Sequence, residues 1–234
     1  MTWNGRQAAI SLTFDDGLRS QREHAVPMMD LAGIKGTFFL IPRAGSAEAD
    51  FEPLQENFWK SVAESGHEIG SHSLTHRKAA LLSQREALIE AEASKTFLAT
   101  LTGRSVNSFC YPYTDAPNHL QKAVKRAGYR YARGGRLARA SKFIQHGDGV
   151  NRLNLPAFHV SNSTIENGEI PGYIADAIEK QAWIILMFHA VGAPQGWDNV
   201  HLETFKTFLQ SLTELQTTGS AWIAPMGEVG AHLR

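Results

Sequence analysis

Short apolar runs alternate with amphipathic stretches along most of this chain. Residues 8–14 form an apolar run that predicts a buried strand. Residues 24–32 predict a helix, with Gly33 where a helix end favours a left-handed residue. Residues 36–41, holding Thr37-Phe38-Phe39-Leu40, predict a second strand. A helix over 55–65 closes at Gly66, and 67–72 starts a third strand. Ser83-Gln84-Arg85-Glu86 has the form of a capping box and opens a helix running to about Thr102. Residues 106–111 are strand-like, Pro117 suits a first helical turn, and that helix ends at Gly128. Residues 129–132 predict a short strand, 134–155 a long loop, and Pro171 a helix reaching Gln181. Residues 183–188 are the most apolar strand, 201–217 a long last helix, and 221–224 a final short strand.

Strands alternating with helices predict a parallel sheet covered by helices. Seven or eight such units in 234 residues suit a single α/β domain over residues 1–234, a distorted (β/α) barrel with about seven parallel strands. The composition, 43% hydrophobic, is that of an ordinary globular protein with a substantial core. A formal net charge of +0 gives no footprint for nucleic acid or for an anionic membrane surface. No apolar stretch is long enough for a membrane span. Residues 1–7 lack the apolar segment of a signal peptide, so the expected compartment is the cytoplasm, or outside the cell if such a segment was removed. The single cysteine, Cys110, excludes an internal disulfide and a thiolate cluster, so any metal must use His, Asp or Glu.

Thr13-Phe14-Asp15-Asp16-Gly17 ends the first strand with two adjacent carboxylates. Like charges this close are costly to ionise together unless a cation or proton intervenes. Gly70-Ser71-His72-Ser73-Leu74-Thr75-His76 ends the third strand. Two histidines four apart on a helical turn could both reach one ion; unrelated surface residues are the other reading. His189 closes the strand 183–188 and is either a core histidine bonded to a carbonyl or a general acid. Phe109-Cys110-Tyr111-Pro112-Tyr113 ends another strand, where it either packs a turn or aims a backbone N–H into a site. In parallel α/β folds this end of the sheet hosts the site.

With these motifs in this order, the chain resembles the polysaccharide deacetylase family, carbohydrate esterase family 4, over about residues 8–225. The resemblance implies a distorted barrel that removes acetyl groups from an acetylated oligo- or polysaccharide with a divalent metal, zinc first, cobalt or nickel next. It implies Asp15 as general base, Asp16, His72 and His76 as metal ligands, and Ser73 as a loop-steadying hydrogen-bonding residue. It also implies Tyr113 as the residue whose N–H holds the oxyanion, and His189 as general acid. Met187 takes the place of a leucine that lines the acetyl-methyl pocket, a swap that roughly conserves volume. Trp197, on the loop after His189, either stacks on a sugar ring or anchors its loop.

Two departures stand out. The arginine that pairs with the base in this family is replaced by Cys110, which reads as a small buried filler, with Arg133 or Arg152 as substitutes. The acid that partners the general-acid histidine has only Asp148 and His159 as candidates by order. Arg133, Arg136, Arg139 and Lys142 recur every three residues and read as a solvated face or loop, contact with an anionic glycan being the lesser option. Other readings are hydrolysis of a small cyclic amide and a non-catalytic glycan-binding derivative. The metal in use, the oligomeric state and the choice between N- and O-acetyl are left open.

Overall fold

Strand β1 (Ala8–Asp16) is fully buried along all but its last residue, so both of its faces meet protein. Ile10, Leu12 and Phe14 point one way and join the larger apolar cluster under the helices. Ala9 points the other way, with Phe39, Cys110, Tyr131, Trp183 and Ile185. A strand alternates its side chains, so Ser11, Thr13 and Asp15 follow Ala9 onto this second, inner face. Phe14 anchors the helix side, stacked on Phe38 and Phe188 at ring separations of 4.8 and 5.0 Å.

The computed structural model describes residues 2–43, 45, 50–134, 142–147 and 149–233. After β1 come β2 (Thr37–Leu40), β3 (Glu68–Ser71), β4 (Ser108–Cys110), β5 (Tyr131–Arg133), β6 (Phe158–His159), β7 (Trp183–Phe188) and β8 (Ala221–Ile223). Seven strands run in the order β5-β4-β3-β2-β1-β7-β6, and β8 pairs with β1 off this path. Every pairing is parallel. The sheet curls into a half-barrel, the distorted barrel of about seven parallel strands that the alternation predicts.

The helices are α1 (Val26–Leu31), preceded by a wide π turn over Gln21–Ala25, then α2 (Glu56–Glu64), α3 (Gln84–Thr102), α4 (Asn118–Arg126), α5 (Asn162–Glu166), α6 (Glu169–Glu179), α7 (Leu202–Thr217) and α8 (Met226–Gly230). The capping box is present: Ser83 Oγ accepts from Glu86 N, and the Glu86 carboxylate accepts from Ser83 N. Left-handed Gly103 caps the far end of α3.

Two expectations need correction. His72–His76 is not a helical turn. β3 ends at Ser71, and Ser73 and His76 both take left-handed backbone angles, φ 64° and 58°. The described part of residues 134–155 is the loop expected there, tied to the sheet margins by two isolated bridges, Ile144 with Trp183 and Leu155 with Arg133. Arg133 is no solvated residue; it is fully buried on the inner face. Arg136, Arg139 and Asp148 lie outside the described residues. Among the described residues, no helix is long and apolar enough to cross a membrane.

Candidate active site

The inner face and the strand register together decide which side chains meet. Thr13 lies opposite Met187, so one step further brings Asp15 beside His189. Cys110 lies opposite Arg133 across β4 and β5. These strand ends line a cavity of about 940 Å³ with Asp15, Asp16, His72, His76, Tyr113, Arg133, Met187, His189, Trp197 and Asp198 in its wall. Six residues around it hold positive φ without being glycine: Asp16, Ser73, His76, Tyr113, Thr114 and Asp198. Such conformations cost energy and persist where the surroundings fix them, typically at functional sites.

Asp15 and Asp16 face different partners in this geometry. Asp15 faces inward, where Arg133 Nη2 donates to both of its carboxylate oxygens. Burial opposes its charge, but the Arg133 guanidinium, with the His72 and His189 imidazoles beside it, more than offsets that and holds the Asp15 carboxyl well below the usual carboxylate range. Arg133 also touches Cys110 Sγ at 2.9 Å and donates to Met187 Sδ at 2.7 Å. The expected arginine at position 110 is thus replaced by one from the adjacent strand. Arg152, the other candidate, instead donates to the Leu233 carbonyl. Met187 does more than line a pocket, because its sulfur accepts a hydrogen bond that leucine could not.

Asp16 turns outward at φ 79°, before left-handed Gly17, and its Oδ1 lies 3.5 Å from His72 Nε2 and 3.7 Å from His76 Nε2. Metal–ligand bonds of 2.0–2.2 Å in a tetrahedral site set donor atoms about 3.4 Å apart, so this set fits a divalent ion such as zinc. His72 Nδ1 lies 2.9 Å from the Cys110 carbonyl, which can only accept. Nδ1 therefore carries the proton, leaving the Nε2 lone pair free on the Asp16 side. A second nearby set, Asp15, His72 and Cys110, is a poorer one. Asp15 is already engaged by Arg133, and burial pushes the Cys110 thiol up, away from the thiolate a metal needs.

The loop between the two histidines is clamped by a residue that sequence reading passed over. Glu90 of α3, buried, accepts from Leu74 N and Thr75 N at 2.9 Å each and from Thr75 Oγ1 at 2.6 Å. Ser73 Oγ accepts from His76 N at 2.9 Å and closes the turn. Gln21 ties the far side, its Nε2 donating to the carbonyls of both Asp15 and His189.

Tyr113 sits at φ 58° with its ring 4.7 Å from that of His76. The hydrogen bonds of its turn run from Thr114 N to Tyr111 O and from Asp115 N to Pro112 O, so they do not use the Tyr113 N–H. His189 Nε2 lies 3.9 Å from Asp15 Oδ2, and its Nδ1 lies 3.5 Å from Asp198 Oδ2. Among the described residues, Asp198 is thus the carboxylate on the Nδ1 side of His189, and His159 lies against that carboxylate. The sequence signal was present in the Trp197-Asp198 pair, which follows His189 where the family pattern puts its acid earlier. Trp197 is 64% exposed at the cavity mouth.

Burial lowers the pKa of all three central imidazoles, taking His72 down to about 3 from 6.5. The unfolded chain therefore takes up protons below pH 6.5 that the folded chain refuses, and stability falls as pH falls. For His72 alone this amounts to about 2 kcal/mol between neutral pH and pH 5. Urea unfolding of metal-free protein at pH 7.5 and pH 5 is expected to show a loss of that order. Equal stability at both would mean these rings protonate freely in the fold.

A parallel half-barrel with carboxylates and imidazoles gathered at its strand ends defines an α/β protein with a cluster of titratable side chains in one cavity. The profile of the family described as Polysaccharide deacetylase matches residues 4–132, over half of the chain, and the chain belongs to that family. It is similar to the peptidoglycan-N-acetylglucosamine deacetylase of Bacillus cereus, 29% identical over 132 residues, which are 55% of this chain and 46% of the relative. The matched region spans less than half the length of the curated relatives. The fold is that of a polysaccharide deacetylase homologue from Mycobacterium smegmatis, with TM-score 0.69 and 15% identity over 100% of this chain and 93% of the other. It is also that of the Xyl-CE4 domain of a multidomain xylanase from the hindgut metagenome of Trinervitermes trinervoides, with TM-score 0.60 and 20% identity over 95% and 89% of the two chains.

Proposed function

We propose that this protein hydrolyses acetyl groups from an acetylated carbohydrate, using a divalent metal held by Asp16, His72 and His76. The observation that carries this reading is the division of the Asp15-Asp16 pair. Asp15 is turned to a buried arginine and stays ionised, while Asp16 is turned to two imidazoles. A bound ion would polarise the acetyl carbonyl and make a water molecule more acidic. Asp15 accepts the proton of the attacking water, with Arg133 fixing the carboxylate's orientation. The backbone N–H of Tyr113 donates to the oxyanion as it forms. His189 gives a proton from Nε2 to the leaving nitrogen or oxygen, and Asp198 on its Nδ1 side favours the charged ring before transfer. Met187 borders the acetyl methyl, and Trp197 offers a ring face to the sugar.

The substrate class follows the relatives, among them a peptidoglycan-N-acetylglucosamine deacetylase. The cavity volume lies at the upper end of small-molecule sites and leaves room for more than one sugar ring. Acetate release by zinc- or cobalt-loaded protein is expected from at least one member of a panel of N- and O-acetylated oligosaccharides. Glycan binding with no acetate from any member would overturn hydrolysis in favour of a binding role. Ring opening of an allantoin-like amide without acetate release would move the reaction to cyclic amides. Asp198→Asn is expected to lower kcat by about tenfold or more with the metal retained. An unchanged kcat would remove Asp198 from proton transfer.

A further inference from the structure

His159, Asp198 and His189 form a second set of donor atoms, sharing no residue with Asp16, His72 and His76. Their ligand atoms all lie within 4.8 Å of one another. His189 Nδ1 and Asp198 Oδ2 are 3.5 Å apart, close to the donor spacing of a tetrahedral site. His159 Nε2 lies against the same Asp198 oxygen, and the two rings are 6.1 Å apart between centres. His189 Nδ1 is buried and has no hydrogen-bond partner among the described residues. A buried ring nitrogen without a bond is costly, and a cation or proton between it and Asp198 would remove that cost.

The set is also rigidly held. His159 ends β6, in register with Met187 of β7, two residues before His189. The loop carrying Asp198 is pinned by hydrogen bonds from Ala190 N to Trp197 O and from Val200 N to Ala190 O. Asp198 itself takes φ 49°. The His159 side chain is 43% exposed, which gives an ion a path from solvent and leaves this set less enclosed than the first.

We propose that His159, Asp198 and His189 bind a second divalent ion, more weakly than the first set, and that this ion inhibits the enzyme. The chemistry is competition for one lone pair. His189 can act as an acid from Nε2 only when Nδ1 also carries a proton, and an ion on Nδ1 takes that proton's place. The inhibition rests on the role proposed for His189 above, whereas the binding does not.

Zn2+ titrated into metal-free protein, followed by calorimetry and by metal analysis after dialysis, should fill two equivalents in two steps. His159→Ala should keep only the tighter step, and His76→Ala only the weaker one. With an acetylated substrate, Zn2+ beyond the first equivalent should slow the wild type roughly tenfold or more, in line with loss of general acid catalysis, and should not slow His159→Ala to that extent. One equivalent in the wild type, or two in His159→Ala, would overturn the site. A rate that holds while the second step fills would overturn the inhibition. Failure to release acetate from any substrate would instead count against the deacetylase reading and leave the two-step binding as measured.

Discussion

Asp15→Asn is expected to lower kcat by a factor of roughly 10² to 10⁴ while metal content stays at wild-type level. The amide keeps the shape of the carboxylate and can still accept from Arg133 Nη2, but it cannot take a proton from water. The metal set does not include Asp15, whose oxygens both face the guanidinium. Metal analysis on the purified variant is therefore as informative as its rate. A variant that loses its ion along with its activity would exchange the roles of the two neighbouring aspartates.

Replacing Arg133 by Met should have the largest effect on the protein as a whole. Arg133 and Asp15 form a pair with both side chains almost wholly out of solvent. Removing one partner from such a pair typically costs about 3–5 kcal/mol, because the other charge is left buried alone. Urea unfolding should show a loss of that order. The Asp15 carboxyl should then move up, since burial raises it and only the weaker pull of His72 and His189 remains. A base works only when ionised, so the acid limb of kcat/KM should move towards neutral pH in this variant. Arg133→Lys retains the charge but not the planar fork, and should fall between the two. An acid limb unmoved in Arg133→Met would mean that Asp15 does not govern it. The double variant with Asp15→Asn should be less than additive, as expected for residues in contact.

The sequence revealed those parts of the site that sit where a strand pattern stops. Asp15, Asp16, His72, Tyr113 and His189 each follow an apolar run, and run ends are legible because side-chain periodicity changes there. What lay hidden depends on which strands are neighbours. Arg133 is one of two candidate substitutes, yet its three-residue spacing from Arg136 also suggests a solvated face. All of β5 is buried, and its two-residue alternation, which sends Tyr131 to the inner cluster and Ala132 to the helix side, is the period that governs. Only the Cys110–Arg133 register identifies the arginine as the replacement for the missing one. Glu90 was obscured because a buried carboxylate on an amphipathic helix looks like any polar position until the loop it clamps is seen. Asp198 was obscured by order, since it comes after His189 in the chain. The helix expected at His72–His76 failed because hydrogen bonds to Ser73 and Glu90 hold the backbone in left-handed angles that spacing alone does not show.

Gln21 has a consequence for motion at this site. One amide group grips the main chain at both Asp15 and His189, at the ends of adjacent strands. The opening between the Asp15 carboxylate and the His189 ring is therefore gauged by backbone, not by the reach of flexible side chains. Breathing of the surrounding loops can admit or release a sugar without altering that gauge. A shift that did alter it would have to slide β1 against β7, the most heavily paired seam of the sheet.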